Sequence, residues 1–285
     1  MKASYYIERF LKIGNIWQEL NLLKGNDDNT SPTKIIHENK EISSPKKMAE
    51  MFNQFFVKKI KDIQEKFNPN DDDQIPLLER LIRRPNTKLE VNFITINEVY
   101  DAITWLRTSN SCGYDQMSSR IIKMIPELMA FWLTHLLNQM LRTGTFPRIL
   151  KISKITPVKK PRKMSTDKSS FRPICNLQVC EKVIEEVLKR KMIKYFEDND
   201  LIVKEQHGGR KNHNTITAKA VIEEACRKNL DKNKLGLVIS TDLTAAFNTV
   251  NHRILYNKLQ FYGVDGRLLK LIKSYLSNRY QYVEI

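Results

Sequence analysis

The chain has 285 residues, 41% of them hydrophobic, which is enough to build a packed core and excludes a wholly disordered protein. Lys and Arg outnumber Asp and Glu 48 to 32, a formal charge of +16 that favours encounter with polyanions, nucleic acid first among them, over a solvated basic surface without a partner. Cys112, Cys175, Cys180 and Cys226 form no C-x-x-C pair and predict reduced, intracellular thiols; no apolar run approaches the ~20 residues of a membrane span, which predicts a soluble protein.

In chain order, residues 1–24 read as one amphipathic helix, with Tyr5, Phe10, Leu11, Ile16 and Leu20 on a broad face. A polar loop follows at 25–32. Pro45 to Phe67 reads as a second helix, with Met48, Met51, Phe52, Phe55, Phe56 and Ile60 at helical spacing, and 68–73 is a linker by composition. The first 90 residues are thus a helical lead-in with linkers, and 91–285 the principal domain. There Thr95 and Glu98 form a capping box for a short helix through Val99, Ile103 and Leu106. After a loop at 108–116, Ser118 or Ser119 opens a long helix whose inward stripe is Ile121, Ile125, Leu128, Trp132, Leu136 and Met140; Gly144 ends it.

From 151 to 172 the cations Lys151, Lys154, Lys159, Lys160, Arg162, Lys163, Lys168 and Arg172 face the single Asp167. Ile152–Val158 and Phe171–Ile174 pair as a hairpin with a basic tip suited to phosphate, a solvated loop being the bland reading. A helix at 178–196 with Val183, Ile184 and Val187 inward, a loop at 199–213 and a helix at 214–228 come next. Leu235, Leu237, Val238 and Ile239 then form a buried strand that delivers Asp242 at its end. A buried carboxylate needs a partner or a cation; capping of the next turn is the equally open alternative. Phe247, five residues on, returns to the same pocket or packs in the core. Val250, Ile254, Leu255 and Leu259 face inward up to Gly263, and Asp265 opens a last helix.

Six stretches in order resemble the reverse transcriptase of non-LTR (LINE-type) retrotransposons. They are Gly113–Asp115, Gly144–Pro147 running on to Ile155–Lys159, Ser170–Ile174, Gln206–Arg210, Asp242–His252 and Ser274–Arg279. The resemblance runs from about residue 45 to the end. It implies an α+β, helix-rich fold of the right-hand polymerase kind, with fingers and an incomplete palm, and an RNA-directed DNA polymerase. Asp242 matches the first palm aspartate, a ligand of catalytic Mg2+, and Leu243 the position whose carbonyl helps hold metal. Phe247 matches the aromatic beside the sugar of the incoming nucleotide. Lys159 and Arg172 match fingers cations on the triphosphate, Arg210 a finger-motif arginine, and Asp115 a motif of template-side structure. Implied partners are an RNA template, a DNA primer and deoxynucleoside triphosphates, with no membrane.

Departures from the pattern are Gly209 where the family has Phe, and Asn248 and Asn251 where it has Asp. The sequence reads as truncated, ending before the paired-aspartate motif and the thumb, without an upstream endonuclease. It is expected to be inactive alone and aggregation-prone, the alternatives being a non-catalytic basic nucleic-acid-binding remnant or a basic helical scaffold.

Overall fold

The computed structural model describes residues 32–37, 40–66, 84–160, 166–243 and 245–285. The helix expected at 1–24, the linker at 68–73 and the hairpin tip with Arg162 and Lys163 lie outside them. The chain is α+β and helix-rich, as expected, and divides into two compact units.

The sheet unit takes its described residues from 32–61, 152–177 and 280–285. It opens with a small antiparallel hairpin, β1 (Ile35–His37) with β2 (Lys40–Ile42). Helix α1 (Pro45–Lys66) starts with a proline, whose fixed φ and missing N–H cost nothing in a first turn. Strand β3 (Ile152–Lys159) is the middle of a three-stranded sheet, flanked by β4 (Phe171–Asn176) and β5 (Tyr280–Val283). Antiparallel β3–β4 pairing sets Lys154 opposite Asn176 and Lys159 opposite Phe171; parallel β3–β5 pairing sets Ile152 opposite Tyr280. The side chains of Met48, Met51, Phe52 and Phe56 on α1 bury Ile155 and Phe171 on one sheet face, with Phe52 edge-on to Phe171 at 5.1 Å. Strand β5 was not foreseen; its one sequence trace is the alternation Tyr280-Gln-Tyr282-Val.

The helical unit holds the remainder. Helix α2 (Ile96–Trp105) carries the expected capping box: Glu98 N–H donates to Thr95 Oγ1 at 3.3 Å, and Thr95 N–H to Glu98 Oε2 at 3.0 Å. The long helix expected from 118 is instead two, α3 (Ser119–Ile122) and α4 (Pro126–Thr143). Pro126 disfavours helical backbone at the preceding residue, and Ile125 sits at φ −135°, ψ 53°. The break also resets the phase. Ala130, Leu133, Leu137, Met140 and Leu141 face the core, whereas Ile121, Ile125, Leu128 and Trp132 of the expected stripe are exposed. Gly144 closes α4 in the left-handed region at φ 64°. Asn138, in the second half of α4, accepts from Ile94 N–H at 2.7 Å and donates to Ile94 C=O at 2.8 Å, tying an irregular segment to the helix as a strand would.

Helix α5 (Val179–Asp198) buries Val183, Ile184 and Val187, as its pattern predicts. Helix α6 (Thr215–Asp231) is capped by Asn214, and none of its described side chains is buried. The buried strand expected at 235–239 does not form: 235–243 has no regular structure, and Leu235, Leu237, Val238 and Ile239 are exposed. A strand is held by the ladder beside it, and no described strand pairs with this run. Helices α7 (His252–Phe261) and α8 (Gly266–Leu276) close the unit, with Leu259, Leu268, Leu269 and Leu271 inside. Val250 stays outside.

Two features at the edges of this core have measurable consequences. Gly263 sits at φ +82° where a Cβ would come within 2.7 Å of Thr87 O and strike the Tyr195 hydroxyl. That hydroxyl donates to Thr87 O at 2.7 Å, and Gly263 O accepts from Leu89 N–H at 2.9 Å. Glu181 on α5 is fully buried and accepts from Arg279 Nη2 at 2.5 Å, its second oxygen having no hydrogen-bond partner among the described residues. Burial pushes its carboxyl up to about 7, against the opposing pull of Arg279.

Gly263→Ala is therefore expected to lower stability by about 2–3 kcal/mol through backbone strain alone, while Gly208→Ala, with open space around it, stays within about 0.5 kcal/mol in the same denaturant titration. For Glu181, the folded state holds its proton where the unfolded state has lost it, so its stabilising contribution is complete below pH 4.5 and is lost as pH rises to about 7. Melting wild type and Glu181→Gln from pH 4 to 8 should show the wild-type midpoint falling relative to the variant across that window; a rising difference would mean the ion pair dominates. Among the described residues, thermolysin should cut between Leu235 and Leu243 before any site inside α4 or α5, as read by mass spectrometry of early fragments.

Candidate nucleic-acid and nucleotide interface

The basic hairpin forms with the expected strands, and its turn is organised by one acid. Asp167 accepts from Ser169 N–H at 2.8 Å and from the Ser169 hydroxyl, which holds its carboxyl below the usual range. The turn then closes where Lys160 N–H donates to Ser170 O at 2.8 Å and Lys160 Nζ to Ser169 O at 2.6 Å. Lys168 Nζ lies over the Phe55 ring, 5.5 Å from its centroid. Two of the cations are thus committed to holding the turn together.

The two residues singled out for a triphosphate, Lys159 and Arg172, stand at adjacent register positions. Lys159 is opposite Phe171, and Arg172 is opposite Val158. Because neighbouring positions alternate across a pleat, the strands assign Lys159 to the face that α1 covers and Arg172 to the other. Lys159 is half-buried, and Arg172 is exposed. That other face also carries Lys154, Thr156, Val158, Ile174, Tyr280 and Tyr282 by register. Lys154 is ion-paired to Glu284, so its charge is locally balanced.

Arg210, in the helical unit, donates from Nη1 to Val203 O at 3.2 Å and is half-buried; it closes its own loop. Gly209 beside it takes φ +75° with nothing within reach of a Cβ, so the turn uses the freedom of glycine for backbone direction and not for close packing. Asp115 accepts from Met117 N–H at 3.1 Å, closing the turn before α3. Asp242 and Leu243 lie in the exposed segment, and Phe247 is 97% exposed in a single helical turn, Ala246–Asn248. The pocket expected around a strand-borne Asp242 is therefore not built by the described residues. The reason is the one given for the strand: an apolar run without neighbours stays in solvent, and its terminal carboxylate with it.

A bound magnesium ion asks for several oxygen ligands at fixed geometry. Among the described residues no group of three His, Cys, Asp or Glu side chains converges, and Asp242 stands as a single exposed carboxylate. The described residues do not fit a resident Mg2+. The helical unit does carry a cleft of about 380 Å3, lined by Glu90, Asn92, Phe93, Glu98 and Lys191 among others; none of the residues expected at the site lines it. The Glu181–Arg279 pair was also missed. No local pattern marks it, since its partners are 98 residues apart.

Comparison with known proteins takes up the segment that begins at the hairpin. Residues 158–284 match the family model described as reverse transcriptase (RNA-dependent DNA polymerase). The chain is 27% identical over 186 residues to the RNA-directed DNA polymerase from mobile element jockey of Drosophila funebris, covering 65% of this chain and 20% of that protein. The jockey polymerase of Drosophila melanogaster is 23% identical over 229 residues, 79% of this chain and 25% of that protein. A probable RNA-directed DNA polymerase from transposon BS of Drosophila melanogaster is 25% identical over 197 residues, 67% of this chain and 21% of that protein. The chain spans about a fifth to a quarter of the length of these curated relatives. Residues 158–284 are thus similar to reverse transcriptases, and the curated relatives that the chain resembles over a longer stretch are RNA-directed DNA polymerases of mobile elements.

Proposed function

We propose that this chain is the part of an RNA-directed DNA polymerase that grips a primed RNA template, and that as it stands it binds without polymerising. The observation that carries the reading is the acid-organised basic hairpin, which opens the segment matched to the family. In this reading residues 1–90 are a lead-in and 91–285 a partial polymerase domain, with the hairpin belonging to the fingers and the segment around Asp242 opening the palm. The open sheet face offers Arg172 to phosphate and Tyr280 to base or sugar. Lys159 contributes charge from the end of β3, and Arg210 orders its loop. The net charge of +16 brings polyanions in from solution. The RNA template, the DNA primer and deoxynucleoside triphosphates are the proposed partners.

Enzymes of this family generally use divalent metal ions, which neutralise the reacting phosphates and oxygens. Asp242 and Leu243 keep the positions that the resemblance gives to metal contacts, and Phe247 that of a sugar contact, by resemblance alone, since the described residues build no site for the ion. One exposed carboxylate does not hold two cations, which favours binding over chemistry in this chain. No helix among the described residues is long and apolar enough to cross a membrane.

Fluorescence anisotropy of a labelled RNA template with a DNA primer tests this. Affinity should fall at least ~10-fold between 50 and 200 mM NaCl through counterion release. The double variant Lys159→Ala with Arg172→Ala should weaken binding and reduce the salt slope by up to about two. Binding that ignores both salt and the double variant would make the chain a scaffold instead. With MgCl2 and nucleotides added, no primer extension is expected; extension lost in Asp242→Asn would show that the chain carries the chemistry itself.

A further inference from the structure

Within the helical unit, α3 and α4 present an apolar face that the proposed function leaves unused. Pro126 restarts the helix out of phase, so Ala130, Leu133, Leu137, Met140 and Leu141 turn inward. Left outside are Ile121, Met124, Ile125, Leu128, Phe131 and Trp132, each between 45% and 76% exposed. They form one surface. Leu128 and Trp132 are a turn apart on α4, and the Phe131 and Trp132 rings meet edge to face, 5.4 Å between centroids. Ile121, Met124 and Ile125 continue the surface through the turn that joins the two helices. That turn is hydrogen-bonded: Met124 N–H donates to Ile121 O at 3.0 Å, and Met129 N–H to Ile125 O at 3.1 Å.

The chemistry of the face selects its kind of partner. Between Ile121 and Leu141 the charged residues are Lys123 and Glu127, which cancel, in a chain that is 28% charged. Nucleic acid binds through its phosphates, and a neutral apolar face offers them nothing. Met, Phe and Trp with charge depleted is the composition of the centre of a protein–protein interface, where aromatic anchors carry most of the energy.

Area and charge then narrow the partner to a second copy of this chain. Six large apolar side chains at about half exposure amount to ~600 Å2, as much as the largest patch of a typical monomer. Two such faces together bury ~1,200 Å2, the lower end of specific, stable interfaces. Two copies repel each other through their +16 charges, and a neutral face is where that repulsion is weakest. A face that meets itself does so about a two-fold axis. With the axis at Leu128, Met124 of one copy comes opposite Trp132 of the other, and Ile125 opposite Phe131, so that sulfur meets an aromatic ring and apolar surface meets apolar surface.

We infer that the α3–α4 face is a homodimer interface, with Leu128 of one copy against Leu128 of the other. The face lies before residue 158, outside the segment similar to reverse transcriptases, and the inference stands apart from the polymerase reading.

Sedimentation velocity of the full chain, free of nucleic acid, tests it. A dimer should build up as the concentration rises from about 1 to about 100 μM. Raising NaCl should strengthen it by screening the repulsion, opposite in sign to the salt effect on nucleic-acid binding. Leu128→Glu with Trp132→Glu should raise the dissociation constant at least ~30-fold with unchanged helical circular dichroism, since both positions are exposed. Ile222→Glu with Leu230→Glu, exposed on α6 and equal in charge change, should stay within ~3-fold of wild type. Independently, Leu128→Cys in a chain whose four native cysteines are replaced by alanine should oxidise to a disulfide-linked dimer, whereas His135→Cys, exposed on the same helix but off the axis, should not. A chain that stays monomeric over that range would overturn the inference and leave the face to another segment of the chain or to a different protein. A dimer that survives the Leu128 and Trp132 pair of substitutions, or that fails to cross-link through Leu128→Cys, would overturn it as well.

Discussion

Everything in the sheet unit depends on β3 having both edges occupied. A strand at the edge of a sheet leaves a row of amides and carbonyls for solvent or another chain. Here β4 satisfies one side and β5 the other, although β5 is separated from β3 by more than a hundred residues that belong to the helical unit. The pairing fixes the face that Ile155 and Phe171 present, and Phe52 on α1 can pack edge-on against Phe171 only while that register holds. A slip by one residue would turn Phe171 outward and Arg172 inward. The position of the basic hairpin is therefore a consequence of β-pairing, and its charge is a passenger on that geometry.

The balance of charge around this frame is local, despite the +16 total. Glu186 on α5 serves both Lys189 and Arg190, which also flank the Trp105 ring at 5.1 and 5.5 Å, and Glu98 serves Lys191. Exposed pairs of this kind are each worth little in stability. Their effect is to leave the positive surplus unevenly distributed. Along β4 and its turn the only described acid is Asp167, whose oxygens are committed to Ser169. The hairpin is cationic because its Lys and Arg outnumber this one ionised acid, whose hydrogen bonds serve the turn.

What could be read from the sequence follows from how local each signal is. Thr95 with Glu98, Asp265 before α8 and Gly144 after α4 all behave as expected, because a cap is decided by residues within one turn. The inward phase of α4 was misread because Pro126 breaks the helix and restarts it, and a periodicity carried across a break keeps the wrong origin. The β3–β4 hairpin was legible because its strands are neighbours in sequence. Strand β5 was not, since nothing in Tyr280–Val283 names Ile152 as its partner. The apolar run at 235–239 shows the converse: composition can propose a strand, but only adjacent strands can make one.

The same reasoning separates the candidate site residues. Lys159, Arg172 and Arg210 stand on elements whose stability is supplied nearby, by a hairpin turn and by a loop that closes on Val203. Asp242, Leu243 and Phe247 stand on a segment whose structure would have to come from partners in β-pairing. Magnesium coordination is a demanding geometry: it needs several oxygens held at short, fixed distances, and a carboxylate on an unpaired segment pays the ordering entropy of that segment before it gains a bond. A phosphate contact by a lysine or arginine on a paired strand carries no such requirement, since Coulomb attraction tolerates imprecision that metal ligation does not. On the proposed reading, binding of the nucleic-acid backbone and metal-dependent chemistry separate in this chain, because the first rests on strands already paired and the second on a segment that pairs with no described strand.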